Sequence, residues 1–358
     1  MKFYMPTKLY SENNCVANHA DEFARLGTNA LIVTGKSSSK KNGSLDDVTK
    51  ALKKHNIRYT VFDETEENPS VETVMKARGI GLSCGADLVI GIGGGSPLDA
   101  AKAIALMIKN PEKNWEYLYE KTASSALPVA AVPTTCGTGS EVTGVAVLTR
   151  HDLQTKVSMT HRIFPAAAFS DGKYILDAPR DIIVNTSVDA LSHLIESCIS
   201  SLADDYSDIT AFAGLRMWNG CRGVITGEAE MTASSAQLLM NTSTLAGISI
   251  AQTGTTIPHA LSYLLTCRGG IPHGAAVGLF QANFLELAEE NRRNAVLNAA
   301  GFSDTEELRC LIRSLVPVKP DRQLTEQSAQ MVMKNTAKLA SAPFTVDDAA
   351  MKAIIDIV

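Results

Sequence analysis

The sequence predicts an α/β N-terminal half built on a mostly parallel sheet, followed by an all-α C-terminal half. Three observations carry this prediction. Short apolar runs of strand character alternate with helical periodicity over residues 1–176. The strand signal stops at Asp177-Ala178-Pro179, and from Asp181 onward the chain reads as successive helices rich in Ala, Leu, Met and Ile. Finally, the stretch 87–102, DLVIGIGGGSPLDAAK, turns from an apolar run through three glycines directly into a helix, the strand–turn–helix unit of a phosphate-binding sheet.

Taken in order, Phe3 and Tyr4 before Pro6 suggest a short extended segment. Strands are expected over 30–34, 59–62, 88–92 and 129–132, with helices starting at Leu45, Ser70 and Pro97 between them. In the third helix Ser96 reads as the N-cap, Pro97 as the first helical residue and Asp99 as the partner in a capping-box-like pattern. A hairpin is expected over 144–148 and 155–159, around the polar turn 149–154. With no long linker and no internal repeat, the chain divides into a dinucleotide-binding domain, 1–176, and a helical metal-binding domain, 177–358, packed closely with a cleft between them.

Composition bounds the function. The chain has 358 residues, enough for two substantial cores, and a formal net charge of −5 without a long Lys/Arg block, which argues against nucleic acid as the partner and for a small molecule. No apolar run reaches the roughly 18 residues of a membrane span, and the N-terminus lacks the apolar centre of a signal peptide, so the expected location is cytoplasmic. The seven cysteines are scattered with no C-x-x-C pair and read as reduced, mostly structural thiols.

Two loops carry the chemistry of the first half. Gly93, Gly94 and Gly95 let backbone N–H groups approach a phosphate, and the helix dipole that follows adds to the attraction. Alone, the glycines need make only a tight turn; the second loop, PTTCGTGSE at 133–141, strengthens the phosphate reading, with Thr134, Thr135, Thr138 and Ser140 offering hydroxyls to phosphate or ribose oxygens. Cys136 has no histidine near it in sequence and reads as a bystander. The first turn, 34–43, holds Gly35, Lys36 and Ser37 but lacks the earlier glycine of a P-loop. It also offers no acid for a free ribose, so Lys36, Ser37 and Ser38 favour NADP, with NAD the alternative.

In the helical half Asp189 and His193 stand four apart and leave one helix face, a two-ligand metal clamp. His259 and His273 complete a set of one carboxylate and three imidazoles in a histidine-poor chain. Such N/O ligands suit Fe(II) or Zn(II) and leave a position open for a substrate oxygen.

With GGGSPLDAAK, PTTCGTGSE, DALSH and the two later histidines in order, the chain resembles the iron-containing, or group III, alcohol dehydrogenase family, and within it the 1,3-propanediol dehydrogenase-like members, which look NADP-linked. The resemblance spans essentially the whole chain. It implies a homodimer that transfers hydride between NAD(P)(H) and a small primary alcohol, diol or aldehyde, with Asp189, His193, His259 and His273 as metal ligands that act in catalysis through the metal. It further implies diphosphate contacts at Gly94, Gly95 and Ser96, cofactor contacts at Thr134, Thr135 and Thr138, and others at Asn68, Lys156 and Leu176. Asp99 and Lys102 belong to the same motif, with a role in helix and loop geometry only. Many members carry a proton-relay histidine four residues after the third ligand; here that residue is Tyr263, leaving Tyr263, a ribose hydroxyl or water as the proton path. The rival readings are glycerol dehydrogenase-like polyol oxidation, a dehydroquinate-synthase-like lyase, disfavoured by the scarcity of Lys and Arg near the ligands in sequence, and a non-catalytic dinucleotide-binding redox sensor.

Overall fold

The structure is a computed structural model and describes residues 3–122 and 125–357. Eight strands are present among them: β1 (Lys8–Ser11), β2 (Asn29–Thr34), β3 (Arg58–Phe62), β4 (Leu88–Gly93), β5 (Val129–Pro133), β6 (Val147–Arg150), β7 (Thr155–Ser158) and β8 (Ala167–Ser170). Six form one sheet in the order β1-β8-β5-β4-β2-β3, and every pairing in it is parallel. The central strands β2, β4 and β5 are buried along their whole length, which is why they read as unbroken apolar runs rather than alternating ones. Helices α1 (Ser44–Lys54), α2 (Val71–Cys84) and α3 (Gly95–Lys109) cover the two faces. One core layer joins α2 and α3 to the sheet through Val74, Ile104 and Val89; the other packs Phe23, Leu52 and Phe169 against Ile32 and Ile90.

Four of the expected strands are found to within a residue, and α2 starts one residue after the expected Ser70, whose hydroxyl caps it by accepting the N–H of Thr73. Other expectations need correction. β1 and β8 were not foreseen: each has only four residues, β1 is a half-exposed edge strand, and the extended segment suggested at Phe3 and Tyr4 reaches the sheet only at Lys8. The hairpin pairs β6 with β7 but starts at Val147, not at residue 144. Helix α3 starts at Gly95 with Gly94 as its cap, so Ser96 and Pro97 lie inside its first turn. Proline is tolerated there because the first-turn N–H groups have no intrahelical partner. Asp99 caps nothing; its carboxylate accepts from Ser140 Oγ at 2.6 Å and from the Val147 N–H at 2.9 Å, tying α3 to the second loop and the hairpin.

Beyond β8 and a short turn at Gly172–Ile175, the principal helices are α4 (Arg180–Cys198), α5 (Asp205–Gly220), α6 (Ala233–Thr253), α7 (Ile257–Cys267), α8 (His273–Gly278) and α9 (Arg322–Met333). A separate apolar core holds them, with Trp218 fully buried and its Nε1 donating to the Ser187 carbonyl at 2.8 Å. The halves meet backbone to backbone. Gly139, at φ 58°, lies so close to α6 that a Cβ there would come within 2.4 Å of Gly247 Cα. No helix among the described residues is long and apolar enough to cross a membrane.

Candidate active site

The four polar residues singled out in the helical half converge. Asp189 and His193 project from successive turns of α4, His259 from the first turn of α7 and His273 from the first residue of α8. Asp189 Oδ1 lies 3.5 Å from His259 Nε2, 3.8 Å from His273 Nε2 and 3.9 Å from His193 Nε2. One ligand atom each from Asp189, His193 and His259 lies within 4.8 Å of the others. Asp189 Oδ1 and His259 Nε2 are buried yet accept and donate no hydrogen bond. Leaving such atoms orphaned is costly, and a shared cation is what satisfies a carboxylate oxygen and imidazole nitrogens gathered this way.

The outer nitrogens are pinned. His259 Nδ1 meets Glu196 Oε1 at 2.5 Å, His193 Nδ1 meets the Gly137 carbonyl at 3.3 Å, and His273 Nδ1 meets Ser262 Oγ at 3.4 Å. In each case the Nδ1 proton points outward and the Nε2 lone pair inward, the tautomer a metal site requires. Glu196 is itself held by the N–H and hydroxyl of Thr256 and by Gln281 Nε2. The sequence reading missed Glu196, although Asp189, His193 and Glu196 at i, i+4 and i+7 share one helix face.

Electrostatics follow from this packing. Burial opposes protonation of His259, but the nearby Glu196 and Asp189 carboxylates outweigh it and raise its pKa to about 9. Burial drives His273 down to about 3, against the pull of Asp189 and with Lys156 adding to the fall. Burial also lowers His193. Burial opposes ionisation of Asp189, yet the imidazoles around it hold its pKa below the usual carboxylate range.

The glycine turn and the second loop lie against each other beside this cluster. A Cβ on Gly94 would stand 3.1 Å from the Thr135 side chain, and one on Gly95 would stand 2.8 Å from Thr138 Cγ2, so the two loops leave no room for side chains there. Gly93 adopts φ 149°, which a glycine takes freely. Ser96 Oγ accepts the Asn68 N–H at 3.0 Å. A cavity of about 590 Å³ has both groups in its lining, Asn68, Gly95, Ser96 and Thr138 of the loops and Asp189 with the three histidines, and Lys156 lines it close enough to the cluster for its charge to act on His273. Gly94, Thr134, Thr135 and Leu176 stand outside its lining. Gly35, Lys36 and Ser37 follow β2, with Lys36 and Ser37 exposed. Their turn holds no acid, but the end of β3 brings Asp63 beside it, paired with Lys40 at 2.5 Å.

Lys102 is fully buried and donates to Ser140 Oγ at 2.6 Å and to the Val145 carbonyl at 2.8 Å. Cys136 is buried against Thr186, and burial raises its pKa, which leaves an inert thiol. Tyr263 lines the cavity with its ring over His273, centroids 6.4 Å apart, and burial raises its pKa to about 12. Of the helical half's basic residues Lys338 lines the cavity, and the sheet half adds Lys156 and Arg162, which the reading of the helical half alone did not count.

A parallel sheet whose glycine turn opens on a carboxylate–imidazole cluster is the architecture of a metal-dependent dehydrogenase. The chain belongs to the iron-containing alcohol dehydrogenase family: residues 6–172 match the iron-containing alcohol dehydrogenases and residues 183–343 match the C-terminal part of the same family. Membership brings iron and a nicotinamide cofactor with it. The crystal structure of an iron-containing alcohol dehydrogenase from Thermotoga maritima is 35% identical and superposes with a TM-score of 0.91, covering 99% of this chain and 98% of that one. The long-chain primary alcohol dehydrogenase of Thermoanaerobacter ethanolicus is 33% identical over 254 residues, 70% of this chain and 63% of that one. The 1,3-propanediol dehydrogenase of Klebsiella pneumoniae is 29% identical over 79% of this chain and 72% of its own length. Against the bifunctional aldehyde-alcohol dehydrogenases of Escherichia coli the chain spans 33% of the relative's length.

Proposed function

We propose that this protein transfers hydride between NADP(H) and a small primary alcohol, diol or aldehyde, using Fe2+, with Zn2+ as the alternative metal. Asp189, His193, His259 and His273 hold the metal, and the observation that carries this is the pair of buried, unpartnered atoms, Asp189 Oδ1 and His259 Nε2, facing the other two Nε2 atoms. When bound, the metal supplies a Lewis acid that polarises the substrate oxygen. The nicotinamide supplies the hydride chemistry.

This chain's own residues bind and orient. The backbone of Gly94, Gly95 and Ser96 receives the diphosphate at the start of α3, and Thr134, Thr135 and Thr138 present hydroxyls beside it. Asn68, Lys156 and Leu176 complete the cofactor contacts. Gly35, Lys36 and Ser37 take the adenosine end; their exposure, together with the pairing of Asp63 by Lys40, supports NADP over NAD. Glu196 fixes the His259 ring. The alcohol proton leaves through Tyr263, a ribose hydroxyl or water. The two halves act as domains, 1–176 and 177–358, in a cytoplasmic homodimer, with the cleft between them excluding water from the reacting carbons.

Metal analysis of anaerobically purified protein, with reduced-cofactor absorbance followed over a panel of alcohols and aldehydes, tests the reading. His259→Ala is expected to lose bound metal and turnover while NADPH fluorescence still reports cofactor binding. Full turnover by a metal-free His259→Ala protein overturns the assignment.

A further inference from the structure

Positive charge lines part of the cavity that the reading above does not use. Arg162, just beyond β7, and Lys338, in the short helix Thr336–Leu339, come from opposite halves of the chain and line the same cavity as the Asp189 cluster. Lys338 is held in place: its Nζ donates to the Thr255 carbonyl at 2.6 Å and meets Thr255 Oγ1 at 3.2 Å, one turn before His259. Neither contact neutralises its charge. Arg162 makes no hydrogen bond or ion pair with another described residue. Burial lowers the Lys338 pKa; attraction to Glu196 opposes it, and a smaller repulsion from Arg162 adds to the fall.

The carboxylates of the lining are already engaged. Asp189 belongs to the imidazole cluster, and Asp99 is taken by Ser140, Lys102 and the Val147 N–H. The lining also has apolar Ile250, Leu264, Met331 and Val332, and neutral polar Thr255, Ser328 and Asn335. Half-buried Lys338 and exposed Arg162, two cations without a carboxylate partner on the wall of one cleft, give it a positive field that favours the entry of an anion.

We propose that the substrate is a short aldehyde or alcohol whose far end carries an anionic group, a carboxylate or the equivalent sulfonate or phosphonate, held by Lys338 and Arg162. The inference rests on the dehydrogenase reading above. In the reducing direction the aldehyde carbon gains a hydride from NADPH, its oxygen gains a proton, and NADP+ and the alcohol are released; the anionic group is unchanged. It anchors one end of the chain so that the other lies at the Asp189 cluster.

The test compares butanal with 4-oxobutanoate and with its sulfonate and phosphonate counterparts, using metal-loaded full-length protein. The expected kcat/KM is at least about tenfold higher for an anionic aldehyde than for butanal, the difference lying in KM and shrinking as salt is raised. Whichever anion gives the highest ratio identifies the headgroup. Lys338→Met is expected to collapse the ratio to within about threefold, and Lys338→Arg to keep it. A ratio near one in the parent protein, or a ratio unchanged in Lys338→Met with metal and NADPH still bound, overturns the inference and leaves the dehydrogenase reading standing. A KM for NADPH that rises in Lys338→Met by the same factor with every aldehyde also overturns it, placing the charge on the cofactor. Failure to reduce any aldehyde overturns the dehydrogenase reading, and this inference with it.

Discussion

The two ends of the cavity are built by opposite means. At the cofactor end the working surface is backbone: side chains are removed at Gly94 and Gly95, and Thr135 and Thr138 of the neighbouring loop close against them. At the metal end the surface is side chains, delivered by three helices and held by a further layer of Glu196, Ser262 and the Gly137 carbonyl. The first kind of site is sensitive to any added atom and indifferent to distant charge. The second depends on partners that never touch the ligand. Behind the cofactor loops the fully buried Lys102 fastens the glycine-turn helix to the second loop and to the segment that leads into the hairpin.

That fastening is the place to break the comparison hardest. Lys102→Met removes a fully buried ammonium, leaves Ser140 Oγ and the Val145 carbonyl without its donation, and leaves the Asp99 carboxylate with no cation beside it. A loss of about 3–5 kcal/mol is expected in urea unfolding, the usual cost of removing one partner from a buried charged network. Gly139→Ala follows. It forces alanine into φ 58° and drives a Cβ against Gly247 backbone on α6. The expected cost is about 2–4 kcal/mol, from αL strain plus overpacking between two backbones that cannot yield, and NADPH affinity falls with it because the second loop shifts. Unaltered stability and cofactor binding in this variant would show that the loop is not pressed between the halves.

How legible each end was in the sequence follows from the same contrast. The glycine turn declares itself within ten residues, because strand, turn and helix are contiguous. Even so, Ser96 and Pro97 suggested a side-chain cap where the structure uses Gly94 alone, which leaves the first N–H groups free for a ligand. Fully buried β2, β4 and β5 were readable as apolar runs, whereas β1 and β8 are too short and too near the sheet edge to show a pattern. At the metal end Asp189 and His193 were readable from helical spacing. His259 and His273 were readable only as candidates, since nothing local says that α7 and α8 bring them back to α4. Glu196 obeyed the same spacing and was passed over, because a carboxylate on an apolar helix has no signature until its imidazole partner is seen. Arg162 and Lys338 were not readable at all: their meeting is a product of the fold.

A smaller change sharpens the contrast at the metal end. Glu196→Gln keeps the volume but puts a neutral amide against His259 Nδ1 and the Thr256 N–H, which both donate to the carboxylate. Metal affinity is expected to fall about 10–100-fold, the usual effect of losing an imidazole's outer partner, measured by chelator competition. NADPH binding should stay within about twofold, since the glycine turn makes no contact with Glu196. Equal losses of metal and cofactor would mean that the two ends are one coupled unit.

The finest distinction is whether the halves unfold together, and two buried thiols report on it. Burial pushes Cys15, in the sheet half, and Cys198, at the end of α4, up to about 12 from the ordinary thiol value of 9. Below pH 9 both are protonated whether folded or not, so they contribute no pH dependence. Between pH 9 and 12 the unfolded chain releases these protons and the folded protein keeps them, so stability falls as pH rises, by roughly 1.4 kcal/mol per pH unit for each thiol. Replacing either cysteine by alanine should flatten the alkaline slope by about that amount, whatever it does to stability at neutral pH. If the protein unfolds in one cooperative step, Cys15→Ala and Cys198→Ala flatten the same transition. If the halves unfold separately, each substitution flattens only the transition of its own half, followed by Trp218 fluorescence in a Trp115→Phe background for the helical core and by far-UV circular dichroism for the whole chain.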